Sequence, residues 1–144
     1  MRPSRGAFTS RVNSGEELHF LAGHDFEKPL ASRSAGTLTV RSDDDALVIE
    51  ATVAGQTSWA RDFLAADSAG LIRSLSPGFR VDPDGERVTR MGETVHRTIT
   101  AAALAEISAV TRAAYPTAQI EARNWSADCP VPRRVIPARQ RWRA

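Results

Sequence analysis

The alternation of hydrophobic and polar positions along the chain predicts a series of short β-strands. Residues 17–21 form a mixed run that predicts a strand leading into Gly23-His24. The run 36–41 alternates and is rich in β-forming residues, which predicts a strand, and the run 46–54 predicts the return strand of a hairpin. Residues 42–45, Ser-Asp-Asp-Asp, predict the turn between them, and we interpret the three aspartates as a solvated turn rather than a metal site.

Two segments of the first half do not follow the strand pattern. Residues 28–34 begin with Lys28-Pro29-Leu30 and predict a polar loop. Residues 57–67 predict a helix, because Thr57 or Ser58 can accept hydrogen bonds from the free amides of a first turn. The apolar stripe of this helix is formed by Trp59, Phe63 and Leu64, and Gly70 ends it.

The second half predicts further strands and an irregular end. Residues 72–81 predict a turn that contains Ser76, followed by a strand, and residues 82–85 predict a tight turn. The remaining segments are strands at 88–91, 93–100 and 102–111, a strand or helix at 117–122, and prolines after Arg123 that discourage regular structure. These elements predict a mainly β fold with helices (α+β), arranged as a compact barrel or sandwich.

Composition places the protein among globular chains of one domain. The chain has 144 residues, of which 42% are hydrophobic and 25% charged. No apolar run approaches the roughly 20 residues that cross a bilayer, so we expect a cytosolic protein with no membrane partner. Cys129 is the only cysteine and can form neither an intrachain disulfide nor a cysteine zinc site, and we interpret it as a bystander thiol.

The charge is unevenly distributed. From Arg123 to the end there are six arginines and one acidic residue, a net charge of +5, whereas the other 122 residues carry 13 basic and 16 acidic side chains. We therefore divide the chain into a β domain at 1–123 and a basic, Pro/Arg-rich tail at 124–144. The tail is either a solvated, disordered end or a segment that contacts nucleic acid or an acidic protein.

Three side chains have the chemistry of an acyl-transfer site. His24 lies between a predicted strand and a loop, where a base can be held near neutral pH. Ser76 precedes Pro77-Gly78, and the glycine leaves space for a substrate to approach a nucleophile. Glu106 would share one strand face with Leu104, Ser108 and Val110, where a carboxylate needs a partner. Taken singly, each residue also fits an incidental surface or turn position.

The order of these residues resembles that of the prohead proteases of tailed phages, the HK97-type capsid maturation proteases, which are similar in fold to the herpesvirus assemblins. The resemblance covers roughly residues 6–123 and includes Lys28-Pro29-Leu30 and residues 36–38. Its main segments are Gly6-Ala7-Phe8, Gly23-His24-Asp25, Ser76-Pro77-Gly78-Phe79, Glu106-Ile107-Ser108 and Ala114-Tyr115-Pro116. The family implies a small assemblin-like β-barrel, no cofactor, and action inside the assembling prohead in the host cytoplasm.

The resemblance also implies roles for individual residues. Ser76 corresponds to the nucleophile, His24 to the base and Glu106 to the residue that orients the histidine, with His96 as the alternative third member. Ser76 Oγ should then lie near a ring nitrogen of His24. The implied substrates are the capsid scaffold segment and the protease itself, and the implied partners are the major capsid protein and further copies of the chain.

Two features depart from the family pattern. Pro77 has no N–H, so oxyanion donors have to come from Gly78 or from the loop near Arg112. The Gly-Ala-Phe segment begins at residue 6, whereas family members carry a few tens of residues before it, so we expect a shortened domain that lacks its first strands. Two alternatives stay open: a non-catalytic capsid-assembly relative or prophage remnant, and an unrelated small β domain.

Overall fold

The computed structural model describes residues 2–42, 46–113, 118–120, 123–124 and 133–141. The described part of the chain contains two helices and twelve strands. The helices are α1 (Thr9–Asn13) and α2 (Ser58–Ser68). The strands are β1 (Arg2–Pro3), β2 (His19–Ala22), β3 (Asp25–Ser32), β4 (Leu38–Ser42), β5 (Ala46–Ala54), β6 (Ser74–Val81), β7 (Glu86–Met91), β8 (Thr94–Ile99), β9 (Ala102–Val110), β10 (Ala118–Ile120), β11 (Arg123–Asn124) and β12 (Arg133–Arg141).

The strands form two sheets. The larger has the order β3-β2-β9-β6-β10-β12-β5-β4, with β11 also paired to β12, and the smaller has the order β1-β8-β7. In the described residues no ladder joins β3 to β4, so the larger sheet is open at both ends. The predicted mainly β fold with helices is therefore confirmed, whereas its closure into a barrel is not.

Several local predictions are confirmed. Strands β4 and β5 form the predicted antiparallel hairpin, and the β7–β8 hairpin turns at Gly92, whose φ is +64°. Helix α2 begins after Thr57, whose side chain accepts a hydrogen bond from the Ala60 amide. The first helix, α1, is too short to show a helical period in the sequence, and it was not predicted.

Two predictions are wrong. The polar loop expected at 28–34 is largely strand β3, which pairs antiparallel with β2. Pro29 is tolerated there because β3 is the edge strand of the sheet. Irregular structure was expected after Arg123, yet residues 133–141 form β12, which pairs with β5 over nine positions. This pairing joins residues 79 to 95 positions apart and cannot be seen in local propensity. The division of the chain at residue 123 stays a prediction.

The hydrophobic core lies on one face of the strands around β9. Phe20 of β2, Leu75 of β6 and Ile107 of β9 are buried there. Helix α2 packs on this face through Phe63, whose ring lies edge-on to Phe20 with centroids 5.9 Å apart. Burying a side chain of this size contributes about 1.5–3 kcal/mol. The core thus occupies this face, and a group of buried polar residues lies on the other face of the same strands.

Candidate active site

The polar group lies beside a bulge in β9. Strand β6 pairs Ser76 with Ser108 and Gly78 with Glu106, but the next pair is Phe79 with Leu104, so Ala105 is an extra residue. An extra residue in one strand reverses the alternation of side chains beyond it. Leu104 therefore faces the core, whereas Glu106 and Ser108 face the opposite side. The prediction that Leu104 shares the face of Glu106 is wrong for this reason.

His24 lies in the tight turn between β2 and β3. Ala22 pairs with Asp25 across a two-residue turn in which both Gly23 and His24 have positive φ, at +65° and +63°. This is the backbone of a type I′ hairpin turn, which favours glycine and disfavours most other residues. The turn is joined to β9, because the Gly23 amide donates to the Ala109 carbonyl at 3.0 Å. His24 therefore holds a costly conformation beside the polar face of β9.

Glu106 is the partner of the His24 ring. Its Oε1 lies 2.7 Å from His24 Nδ1, and its Oε2 accepts a hydrogen bond from the Ser108 hydroxyl. The Glu106 side chain is only 5% exposed, while that of His24 is 46% exposed. A buried carboxylate needs such partners, since an unpaired one would lose its hydration without compensation. The pair brings together two of the residues predicted from the sequence.

Asp25 follows His24 in the chain but makes its contacts elsewhere. Its Oδ1 accepts from the Glu27 amide at 2.9 Å, and its Oδ2 lies 3.2 Å from Lys28 Nζ. The Glu27 amide first, and then Lys28, lower the pKa of Asp25 below its usual value. Asp25 therefore stabilises the start of β3, and Glu106 is the carboxylate bound to the histidine.

Gly78 leaves the space that the Glu106 carboxylate occupies. A Cβ atom at position 78 would lie 2.0 Å from Glu106 Oε1 and 2.8 Å from its Cδ. The sequence had suggested that this glycine opens the site to a substrate. In the structure, it is the Glu106 carboxylate that lies over the glycine.

Ser76 lies on the same face, beside Ser108. It belongs to strand β6 and not to the turn that the sequence predicts, and it is only 6% exposed. Directly opposite residues of an antiparallel pair have Cβ atoms about 4.5–5.5 Å apart. Among the described residues, no hydrogen bond joins Ser76 Oγ to the His24 ring. Such contacts are often long in a protease without substrate and shorten when substrate binds.

The other sequence candidates lie apart from this group. His96 is exposed on β8 of the smaller sheet, opposite Thr89. Arg112 is exposed at a bend after β9, whereas the other expected oxyanion donor, Gly78, lies within β6 next to Glu106 and belongs to the group itself. Cys129 and the three aspartates at 43–45 lie outside the described residues.

Sequence reasoning missed Ser108 as a member of the site. Its hydroxyl contacts Glu106, and it also accepts a hydrogen bond from the backbone amide of His24 at 3.1 Å. The signal was present, because Ser108 lies two residues after Glu106 and shares its strand face. A serine that is fully buried on that face has to bond to a neighbour.

Comparison with known proteins gives one match. The model of the caudovirus prohead serine protease family matches residues 2–129 of the 144. No curated protein and no solved structure matches the chain. In the part of the chain that the structure describes, neither helix has the length and apolar character to span a membrane.

Proposed function

The chain belongs to the caudovirus prohead serine protease family, and we propose that Ser76, His24 and Glu106 carry out its peptide-bond cleavage. The observation that supports this most directly is the 2.7 Å contact between His24 Nδ1 and Glu106 Oε1. A carboxylate on Nδ1 keeps the proton there and leaves the Nε2 lone pair free to accept another. Ser76 is the hydroxyl on the same strand face that the base would serve.

The proposed reaction follows from these positions. His24 Nε2 takes the proton of Ser76 as Oγ bonds to the scissile carbonyl carbon. The tetrahedral intermediate collapses with cleavage of the C–N bond, and His24 passes the proton to the leaving amine. Water then attacks the acyl ester by the same route and regenerates Ser76. Glu106 holds the ring in the required tautomer during both steps.

The proposed substrates are the scaffold segment of the capsid protein and the protease itself. The enzyme would act inside the assembling prohead in the host cytoplasm, with the major capsid protein as its partner and further copies of the chain beside it. The basic end of the chain would contact an acidic protein or nucleic acid.

Co-expression with the major capsid protein of the same phage tests the proposal. We expect a shortened capsid protein with the wild-type chain and a full-length one with Ser76→Ala, as measured by mass spectrometry. Ser74→Ala is the matched control, because Ser74 lies on the same face of β6, two cross-strand pairs away. Shortening that persists in Ser76→Ala would exclude Ser76 as the nucleophile.

The burial of Ser76 favours a second candidate, a capsid-assembly relative without catalysis. A nucleophile that is 6% exposed has little access to a peptide. In that case, the wild-type chain would bind the capsid protein and leave it at full length. The same co-expression experiment therefore distinguishes the two functions.

A further inference from the structure

We propose that Ser108 is a positioning residue for the proposed protease, and that it fixes both the Glu106 carboxylate and the turn that carries His24. The proposal rests on the function proposed above. The Ser108 hydroxyl lies outside the proposed triad and hydrogen-bonds two members of it, Glu106 and His24.

The two hydrogen bonds of Ser108 use different parts of its hydroxyl group. The single proton is donated to Glu106 Oε2, and a lone pair accepts the backbone N–H of His24 at 3.1 Å. The two bonds can therefore exist together. Ser108 is fully buried, so these bonds do not compete with water.

The contact with Glu106 leaves one carboxylate oxygen for the histidine. With Oε2 bound to Ser108, Oε1 is the atom directed at His24 Nδ1. The side chain of Glu106 has several rotatable bonds, and Gly78 alone leaves room for it without selecting one orientation. Ser108 is the donor that selects the orientation in which Oε1 faces the ring.

The contact with the backbone of His24 stabilises a strained turn. A left-handed conformation is unfavourable for a residue with a side chain, and such strain persists only where surrounding bonds hold it. The Ser108 hydroxyl bonds the amide of the residue with φ +63°, and Ala109 next to it bonds the amide of Gly23. His24 is thus held at two points, its ring through Glu106 and its backbone through Ser108.

The reactivity of Ser76 toward a fluorophosphonate measures this role without knowledge of the cleavage site. For Ser108→Ala we expect the labelling rate to fall by about 10- to 100-fold, the range for a lost hydrogen bond to a charged group. Ser108→Cys restores the volume of the side chain but donates only weakly, so its rate should stay close to that of Ser108→Ala. Ser74→Ala should label at the wild-type rate.

Each possible result either supports or overturns the proposed role of Ser108. A wild-type rate in Ser108→Ala, or a rate that Ser108→Cys restores, would overturn the proposal, because the residue would then act by filling space. Loss of the folded state in both variants, seen by thermal unfolding, would assign Ser108 a structural role and overturn it as well. If the wild-type chain labels no faster than Ser76→Ala, the proposed function itself fails. If the wild-type chain is labelled and Ser108→Ala is labelled at the same rate, only the role of Ser108 fails.

Discussion

Gly78 lies opposite Glu106 in the β6–β9 ladder, and the absence of a side chain there is what admits the carboxylate. The φ of this glycine does not require left-handed backbone, so its role is the space that it leaves. Position 78 therefore has to stay without a side chain for Glu106 to hold the position seen here.

Gly78→Ala is expected to abolish most of the activity. The added methyl group would overlap Glu106 Oε1, so the carboxylate has to move and release His24 Nδ1. We expect the fluorophosphonate labelling rate of Gly78→Ala to match that of Glu106→Gln, and the double variant to show no further loss, since both act through one contact.

Gly55→Ala is the matched control for that experiment. A Cβ atom at position 55 would meet Arg61 and Leu64 at ordinary contact distances of 3.5 and 3.6 Å. Its labelling rate should equal that of the wild type. A Gly78→Ala protein that labels at the wild-type rate would show that Glu106 does not need the position seen here.

At the scale of the element, turns and bulges bring the polar residues together. The bulge at Ala105 places Leu104 in the core although Glu106 faces the other side, and the two-residue turn brings His24 back over β9. Glu17 makes a further connection between elements, because its carboxylate accepts hydrogen bonds from the amides of Leu18, Arg33 and Ser34 at 3.0–3.2 Å. It fastens the turn between β3 and β4 to the start of β2, the strand that leads to His24.

Glu17 makes the stability of this region depend on pH. The hydrogen bond from the Ser34 side chain is the main reason that the pKa of Glu17 lies below the ordinary value of 4.5, and the backbone amides of Ser34 and Leu18 lower it further. A carboxyl group whose pKa is lower in the folded state stabilises the fold at pH values above its unfolded-state pKa. This contribution is lost as the pH falls through its folded-state pKa. We expect Glu17→Gln to lower the Tm at pH 7, and the difference from wild type to shrink as the pH falls below 4.5.

Thermal unfolding at several pH values measures that effect. Glu27→Gln, which changes an exposed glutamate on β3, is the control. A Tm difference for Glu17→Gln that stays constant between pH 7 and pH 3 would contradict the assigned role of the carboxylate.

At the scale of the whole molecule, β12 connects two parts of the larger sheet. It lies between β10 and β5, and β4 is attached through β5. The family match ends at residue 129, so β12 lies beyond it. Without β12, the β4–β5 hairpin would keep no ladder to the remaining described strands, and two new edges would be exposed.

A chain truncated after residue 132 is therefore expected to lose cooperative unfolding or to aggregate. Truncation after residue 141 retains β12 and should leave the unfolding transition unchanged. Circular dichroism during heating, together with size-exclusion chromatography, measures both. A cooperative, monodisperse protein that ends at residue 132 would show that β12 is dispensable.

Whether the sequence predicts an element correctly depends on how far apart in the chain the interacting residues of that element lie. The β4–β5 hairpin, the cap of α2 at Thr57 and the turn at Gly92 depend on residues close together in the chain, and they were predicted correctly. Strand β12 contains a proline and polar residues, and it forms because the distant strand β5 supplies its partner, which local propensity cannot show. Strand β3 pairs with β2, the strand directly before it, and its Pro29 is tolerated because the sheet places β3 at an edge.

The sequence by itself determined the family, because the order of the short motifs around His24, Ser76 and Glu106 can be recognised without knowledge of their contacts. Only the tertiary structure decided that Glu106 bonds His24, that Gly78 makes room for it and that Ser108 joins both. The reason is that these contacts join residues far apart in the chain, since 82 positions separate His24 from Glu106 and 84 separate it from Ser108. The bulge at Ala105 adds the reversal of Leu104, which an unbroken strand alternation read from the sequence does not contain.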